Sequence, residues 1–464
     1  MKLREWDANL KLRLGGEFVT NVIFWTIFPF LSVYFASAFG KGTAGLLLVI
    51  SQLISVFANL LGGYFTDRYG RKRVLVFAAM CQSVGYGLLA AGSSALISMP
   101  LIAFAGFTLA SCSISLYHPA SQAMVADIVP EKDRSSVFAV FYTSLNIAVV
   151  VGPLLGSIVY VGNPFYMPAV GAIACGLLAT LLSRRLRETM PSFAADVRAR
   201  TATGSETNAG SSEGNIGVAV EHGDAAADSI AAASAPTPTS WKRAIAAQLK
   251  GYRIIVSDRV FLLFIIAGVL LSQTFMQLDM LLPIYLKEVY PSSSLWVGME
   301  LQLTGQQTFA LLLAENGLLV ALFTVAVTRW TTQLKDRWIF IGGALCYAAS
   351  MALFSQPVSL WSLAAIMAVF TLGELMCAGP QQTFISRLAP ERIRGQYFAA
   401  ASLRFTIGRT IAPLSIPLCG WIGFPWTFGV LALLAAASAV LYKIMFDWHE
   451  RGGPSTQPLY SKVS

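Results

Sequence analysis

Gly62-Gly63-Tyr64-Phe65-Thr66-Asp67-Arg68-Tyr69-Gly70-Arg71-Lys72-Arg73 carries one acid and four bases in its last seven positions, between apolar runs at 44–65 and 74–94. Such a density of charge is unusual in this chain. Of 464 residues, 55% are hydrophobic and only 12% charged, and the mean hydropathy is +0.63. Soluble domains carry about 25% charged residues. The composition therefore excludes an ordinary cytosolic enzyme, a disordered chain and a disulfide-stapled secreted module. A membrane-spanning helix needs about 20 apolar residues. Apolar runs fall at 15–39, 44–65, 74–94, 100–126, 136–161, 165–183, 260–287, 304–327, 338–355, 360–386, 396–422 and 425–446. These runs, spans 1 to 12 in order, predict an all-α membrane protein with twelve transmembrane helices.

The basic residues orient it. With both termini cytoplasmic, 29 of the 33 lysines and arginines fall on inside segments. Lys41 and Lys287 fall outside, and Arg404 and Arg409 lie within span 11. The opposite orientation breaks the positive-inside rule at every loop. The same rule accounts for the net charge of +9 without a nucleic-acid partner. Cys81, Cys112, Cys175, Cys346, Cys377 and Cys419 are isolated in apolar stretches and read as small core residues, not disulfides or metal ligands. No cleavable signal peptide and no phosphate-binding loop is expected. Residues 184–259 include a Gly/Ser/Ala/Thr-rich stretch without apolar period, a flexible cytoplasmic linker. It separates an N-terminal six-helix half, 1–183, from a C-terminal half with a short tail, 260–464.

The halves read as copies. At an offset of 260, Ile128-Val-Pro-Glu-Lys-Asp-Arg134 aligns with Leu388-Ala-Pro-Glu-Arg-Ile-Arg394, Phe138 with Phe398 and Pro153 with Pro413. With this duplication, the loop from Gly63 to Lys72 resembles the signature between the second and third helices of the major facilitator superfamily, G-x-x-x-D-R-x-G-R-R/K. Every defining position is filled. The resemblance implies two six-helix halves that rock around a substrate bound near the midplane. It also implies a conformational latch on the cytoplasmic side, formed by Gly63, Asp67, Arg68, Gly70, Arg71 and Lys72. Gly63 is expected to let span 2 approach another helix, and Gly70 to permit a tight turn. Asp67 ends a helix where the dipole disfavours an acid, so Arg68 or Arg71 should meet it. Asp127 and Arg134 are expected to join this latch. A plain positive-inside turn would explain the arginines but neither Asp67 nor the glycines. Lys335-Asp336-Arg337 forms a degenerate counterpart in the second half.

Ionisable groups inside a span are functional candidates. They are Asp279 (span 7), Glu315 (span 8), Glu374 (span 10), and Arg404 and Arg409 (span 11), with Glu17 in the first half. Glu374 has no base within a turn, so burial disfavours its charged form, as a proton carrier requires. The alternative is a static salt bridge to Arg404 or Arg409. Asp279 and Glu315 are further proton-coupling candidates. Asp279, Gln277, Asn146, Tyr142, Gln381, Arg404 and Arg409 are the expected lining of a substrate cavity. Glu17, near the inner end of span 1, reads either as an interfacial anchor or as a functional group, and His118, before Pro119, as a proton relay or a packed residue.

In span 5, Gly152-Pro153-Leu-Leu-Gly156 looks like the end of the antiporter motif of proton-coupled drug exporters in this superfamily, without its earlier glycines. The resemblance implies export of lipophilic or cationic molecules in exchange for protons, with no cofactor. A monomer is expected, and the short loops and absent targeting peptide fit a bacterial inner membrane. A proton-coupled carrier of a specific sugar, organic acid or peptide is the alternative, kept open by the two arginines. No paired His-carboxylate metal motif or nucleophile elbow supports an enzyme.

Overall fold

The computed structural model describes residues 6–189, 258–290, 292–294, 302–356, 359–389 and 394–450. It is helical apart from a two-stranded antiparallel ribbon, β1 (Ser292–Ser294) and β2 (Gln302–Thr304), paired Ser292 to Thr304. Eleven segments among the described residues are long and apolar enough to cross a membrane. The first six helices are Ala8–Phe39, Lys41–Tyr69, Arg71–Ser93, Pro100–Ile128, Glu131–Gly162 and Tyr166–Arg185. The second group comprises span 7 in three pieces, then Gly305–Thr331, Asp336–Phe354, Leu360–Leu388, Arg394–Ile411 and Ser415–Glu450. The apolar stretch Ala400–Glu450 is 51 residues long, turns through a 3₁₀ step at Ala412–Leu414, and bends again at Gly423 (φ 79°, ψ 168°).

Polar side chains define where these apolar helices begin. Asp7 accepts from the Asn9 amide, Asp258 from that of Phe261, and Thr304 and Gln307 form a reciprocal capping box. Between helices, Gly40 and Gly70 take positive φ (77° and 92°), which lets spans 1, 2 and 3 follow one another with a single residue between them.

The close approach expected of Gly63 belongs to Gly62 instead. A methyl group on Gly62 would lie 3.1 Å from the Leu116 carbonyl oxygen and 3.3 Å from Pro119, whereas one on Gly63 would have nothing within 4 Å. One residue turns a helix by about 100°, so only one of the pair faces span 4. Span 5 meets span 1 through the Gly152-Pro153 bend, where the bare Gly152 faces the Trp25 and Thr26 backbone.

The side of the molecule carrying the basic loops is called inner below. The two helix groups meet toward the outer side and at mid-membrane. Lys41 Nζ lies 2.7 Å from Glu288 and 4.6 Å from the Phe424 ring centre. Phe30 stacks edge-on against Phe309 at 5.8 Å, and Val150 fits against the bare Gly317. Replacing Gly62 with Leu should destabilise the detergent-solubilised protein by about 1–3 kcal/mol through overpacking. Gly63→Ala should leave its melting temperature undiminished, and thermal melts of the two variants check this.

Candidate functional site

Span 7 is predicted as one helix over 260–287 but forms Arg259–Phe275, Gln277–Met280 and Leu282–Val289. Pro283 has no N–H to offer the Asp279 carbonyl, which accounts for the second break. The first break is secured by Gln277. Its amide donates to the Gln273 carbonyl (3.0 Å), Gln273 Oε1 (2.9 Å) and the Ala412 carbonyl (3.2 Å), and the Ser415 hydroxyl donates to its Oε1 at 2.6 Å. Gln277 is therefore a buried tie between span 7 and the 3₁₀ step. The tie places Asp279 in the interior, 9% exposed.

Glu374, midway along span 10, faces span 8. Its Oε2 accepts from Asn316 Nδ2 at 3.0 Å, and the same amide donates to the Thr371 hydroxyl at 3.0 Å. No arginine lies within ion-pair distance of Glu374 or Asp279 among the described residues, so the static salt bridge is not formed. Arg404 is engaged elsewhere. It is 2% exposed, donates to Gln381 Oε1 (3.0 Å) and the Ala401 carbonyl (2.9 Å), and lies 4.3 Å from the Phe264 ring centre. Arg404 and Gln381 thus knit spans 10 and 11 to the ring cluster of Phe264, Phe340, Phe384 and Tyr442. Arg409 differs. It is exposed and lies 5.9 Å from the Phe28 ring of span 1. Five residues put the two arginines on different faces of span 11. Arg409 looks across the seam between helix groups, while Arg404 looks into its own.

Glu315 does not join these acids. It is half-buried and shares its helix face with exposed Leu311, Leu318 and Leu322, pointing away from Asn316 and Gly317. Asn146 is half-buried on span 5, one turn from Val150 at the seam. The side chains of Tyr142 and Arg134 fall outside the described residues, as do residues 190–257 of the linker.

At the inner loop, Arg71 is the hub. Its Nε binds Asp127 Oδ2 at 2.9 Å and its Nη1 lies 3.7 Å from Asp67. Arg68 instead donates to the Tyr64 hydroxyl at 2.8 Å. In the second group, Asp336 pairs with Arg387 at 2.9 Å. The sequence reading set Arg13 ahead of span 1, yet it lies within the helix and is 1% exposed. It pairs with Glu17 at 2.8 Å and also contacts Ser121, whose hydroxyl donates to Glu17 at 2.7 Å. The i,i+4 spacing of Arg13 and Glu17 was the available signal. No cluster of three His, Cys, Asp or Glu residues suited to a metal ion occurs among the described residues.

The Major Facilitator Superfamily model matches residues 14–413 and again 292–462. This chain belongs to that superfamily. It is 48% identical over 453 residues to the "Na(+), Li(+), K(+)/H(+) antiporter" of Planococcus maritimus, covering 97% of this chain and 99% of that one. To the multidrug resistance protein MdtH of Edwardsiella ictaluri it is 22% identical, with 90% and 88% covered. A solved POT family transporter in complex with 5-aminolevulinic acid superposes with a TM-score of 0.69 at 16% identity over 95% and 96% of the two chains, which shows the fold alone. The protein is therefore an integral membrane transporter of the bacterial inner membrane.

The two arginines should separate on mutation. Arg404→Ala should lower stability by about 2–4 kcal/mol, through lost packing and an unpaired Gln381. Arg409→Gln should stay within about 0.5 kcal/mol of wild type. Thermal unfolding in detergent checks both.

Proposed function

We propose that this transporter exchanges protons for monovalent cations, using the carboxylates of Glu374 and Asp279. The carrying observation is that, among the described residues, Glu374 is held by the neutral Asn316 amide with no arginine within ion-pair distance to neutralise it. Such a carboxylate takes either a proton or another cation, and both cannot be bound at once. That competition is the physical basis of antiport. The printed activity of the relative from Planococcus maritimus supports this reading. Arg409, exposed at the seam, is placed to compete with a bound cation for a carboxylate there, so that release remains possible.

A second reading, export of lipophilic cations, is favoured by the aromatic wall of span 1. Phe24, Trp25 and Phe28 form one contact group, and Phe28 faces Arg409. The organic-anion alternative loses support because Arg404 is spent inside the bundle. The proposed architecture has twelve spans, both termini cytoplasmic, and two six-helix halves joined by residues 184–259. The halves rock about the outer contacts, with the loop around Arg71 as the latch of the inner side. Contacts at Lys41–Glu288 and Phe30–Phe309, with an exposed Arg409, fit an arrangement open to the inner side.

In proteoliposomes, an imposed sodium or potassium gradient should move protons in the opposite direction. Glu374→Gln should abolish that movement, and undiminished exchange in this variant would refute the assignment. Because only the deprotonated carboxylate binds the cation, its apparent affinity should fall as pH falls. The limit is about tenfold per pH unit for one-for-one competition. A pH series of half-saturating cation concentrations checks the sign.

A further inference from the structure

Span 3 begins with Arg71-Lys72-Arg73 and has no acid in its first turn. Three bases at a helix N-terminus oppose the helix dipole, and the first backbone N–H groups there need acceptors. The acceptor comes from the chain leaving span 6. Leu186 is 2% exposed, packed in the cluster that holds Val74, Leu75, Leu178 and Leu182. The Arg187 amide donates to Asn9 Oδ1 at 3.1 Å, and Asn9 Nδ2 reaches the Arg187 carbonyl at 3.5 Å. These two anchors set Glu188 on the start of span 3. Glu188 Oε1 accepts from the Arg71 amide at 2.9 Å and Oε2 from the Lys72 amide at 3.1 Å. The Thr189 hydroxyl donates at 3.1 Å to Asp127 Oδ2, the same oxygen that binds Arg71 Nε.

Gly70 is part of this seat. A methyl group there would lie 2.5 Å from Glu188 Oε2, and its φ is +92°. The glycine of the signature thus leaves room for the carboxylate as well as for the turn. The second helix group needs no such device, because span 9 carries Asp336 in its own first turn and span 12 runs on to Glu450.

We propose that Glu188, aided by Thr189, is a positioning residue of the inner latch, tying the root of the connection between the halves to the Arg71–Asp127 pair. One carboxylate holds the backbone of Arg71 and the other its guanidinium, so the arginine is aimed and Asp67 is left exposed for the moving half. This rests on the latch reading given above.

The test has two arms, on full-length protein. Hydrogen exchange at the Arg71 and Lys72 amides should speed up in Glu188→Gln, by about three- to tenfold, since one acceptor oxygen and the charge are lost. This arm is read whether or not wild type moves cations, so failure of the exchange reading stays separate from failure of the cap. In proteoliposomes, Glu188→Ala should lower the maximal rate by a similar factor while leaving the half-saturating cation concentration within about twofold. Gly70→Ala should slow transport less in the Glu188→Ala background than in wild type, because its clash partner is gone. Unchanged amide exchange would overturn the cap. A normal maximal rate in Glu188→Ala, or strict additivity with Gly70→Ala, would overturn the positioning role. Should Glu188→Ala fail to fold, Glu188→Gln carries the transport arm with an intermediate loss expected.

Discussion

A charge held in hydrocarbon must find a partner, and the ionisable side chains buried among the described residues of this transporter differ in how they meet that demand. An isolated acid or base at a helix centre costs roughly 2.5–3.5 kcal/mol on insertion scales. Arg13 meets it with Glu17 and Ser121, and Arg404 with Gln381 and the Phe264 ring. Among the described residues, Glu374 receives the neutral Asn316 amide, and neither it nor Asp279 has an arginine or lysine within ion-pair distance. The first two groups have what they need within one conformation and act as scaffold. The last two have no such partner among the described residues, and the proposed exchange uses them.

The same distinction separates the two helix groups. The first closes its buried ion pair on itself near the inner end of span 1, and its loop at Gly70 carries the Arg71 hub. In the second, the break in span 7 carries Asp279 inward, while Gln277 holds that break against the 3₁₀ step. A helix interrupted by Pro283 is thus a means of placing a carboxylate. In the proposed exchange, the outer contact of Lys41 with Glu288 forms the hinge side about which such a carboxylate changes its access.

Much of this was legible in the sequence. Apolar runs and basic loops fix the helical membrane class, and the charges of Gly63–Lys72 mark the inner loop. Glu374 stands out because no base lies within a turn. What resisted reading was side-chain direction. Gly62 and Gly63 are adjacent, and only packing against Leu116 tells which one makes the contact. Arg404 and Arg409 look alike in sequence, yet five residues of helix turn one into the bundle and the other to the seam. Glu315 makes the same point, since a lone acid in an apolar helix does not reveal its face until the exposed Leu311, Leu318 and Leu322 are seen beside it. Arg13 was hidden by being counted as a loop charge, and Glu188 by lying nearly 120 residues along the chain from the helix it caps.

The central claim is that a proton and a cation compete for Glu374, and proton release on binding tests it without transport. Purified protein in weakly buffered detergent solution is titrated with sodium or potassium while a pH indicator is followed. The account predicts release of about one proton for each cation bound, lost in Glu374→Gln. Cation binding without proton release would contradict it.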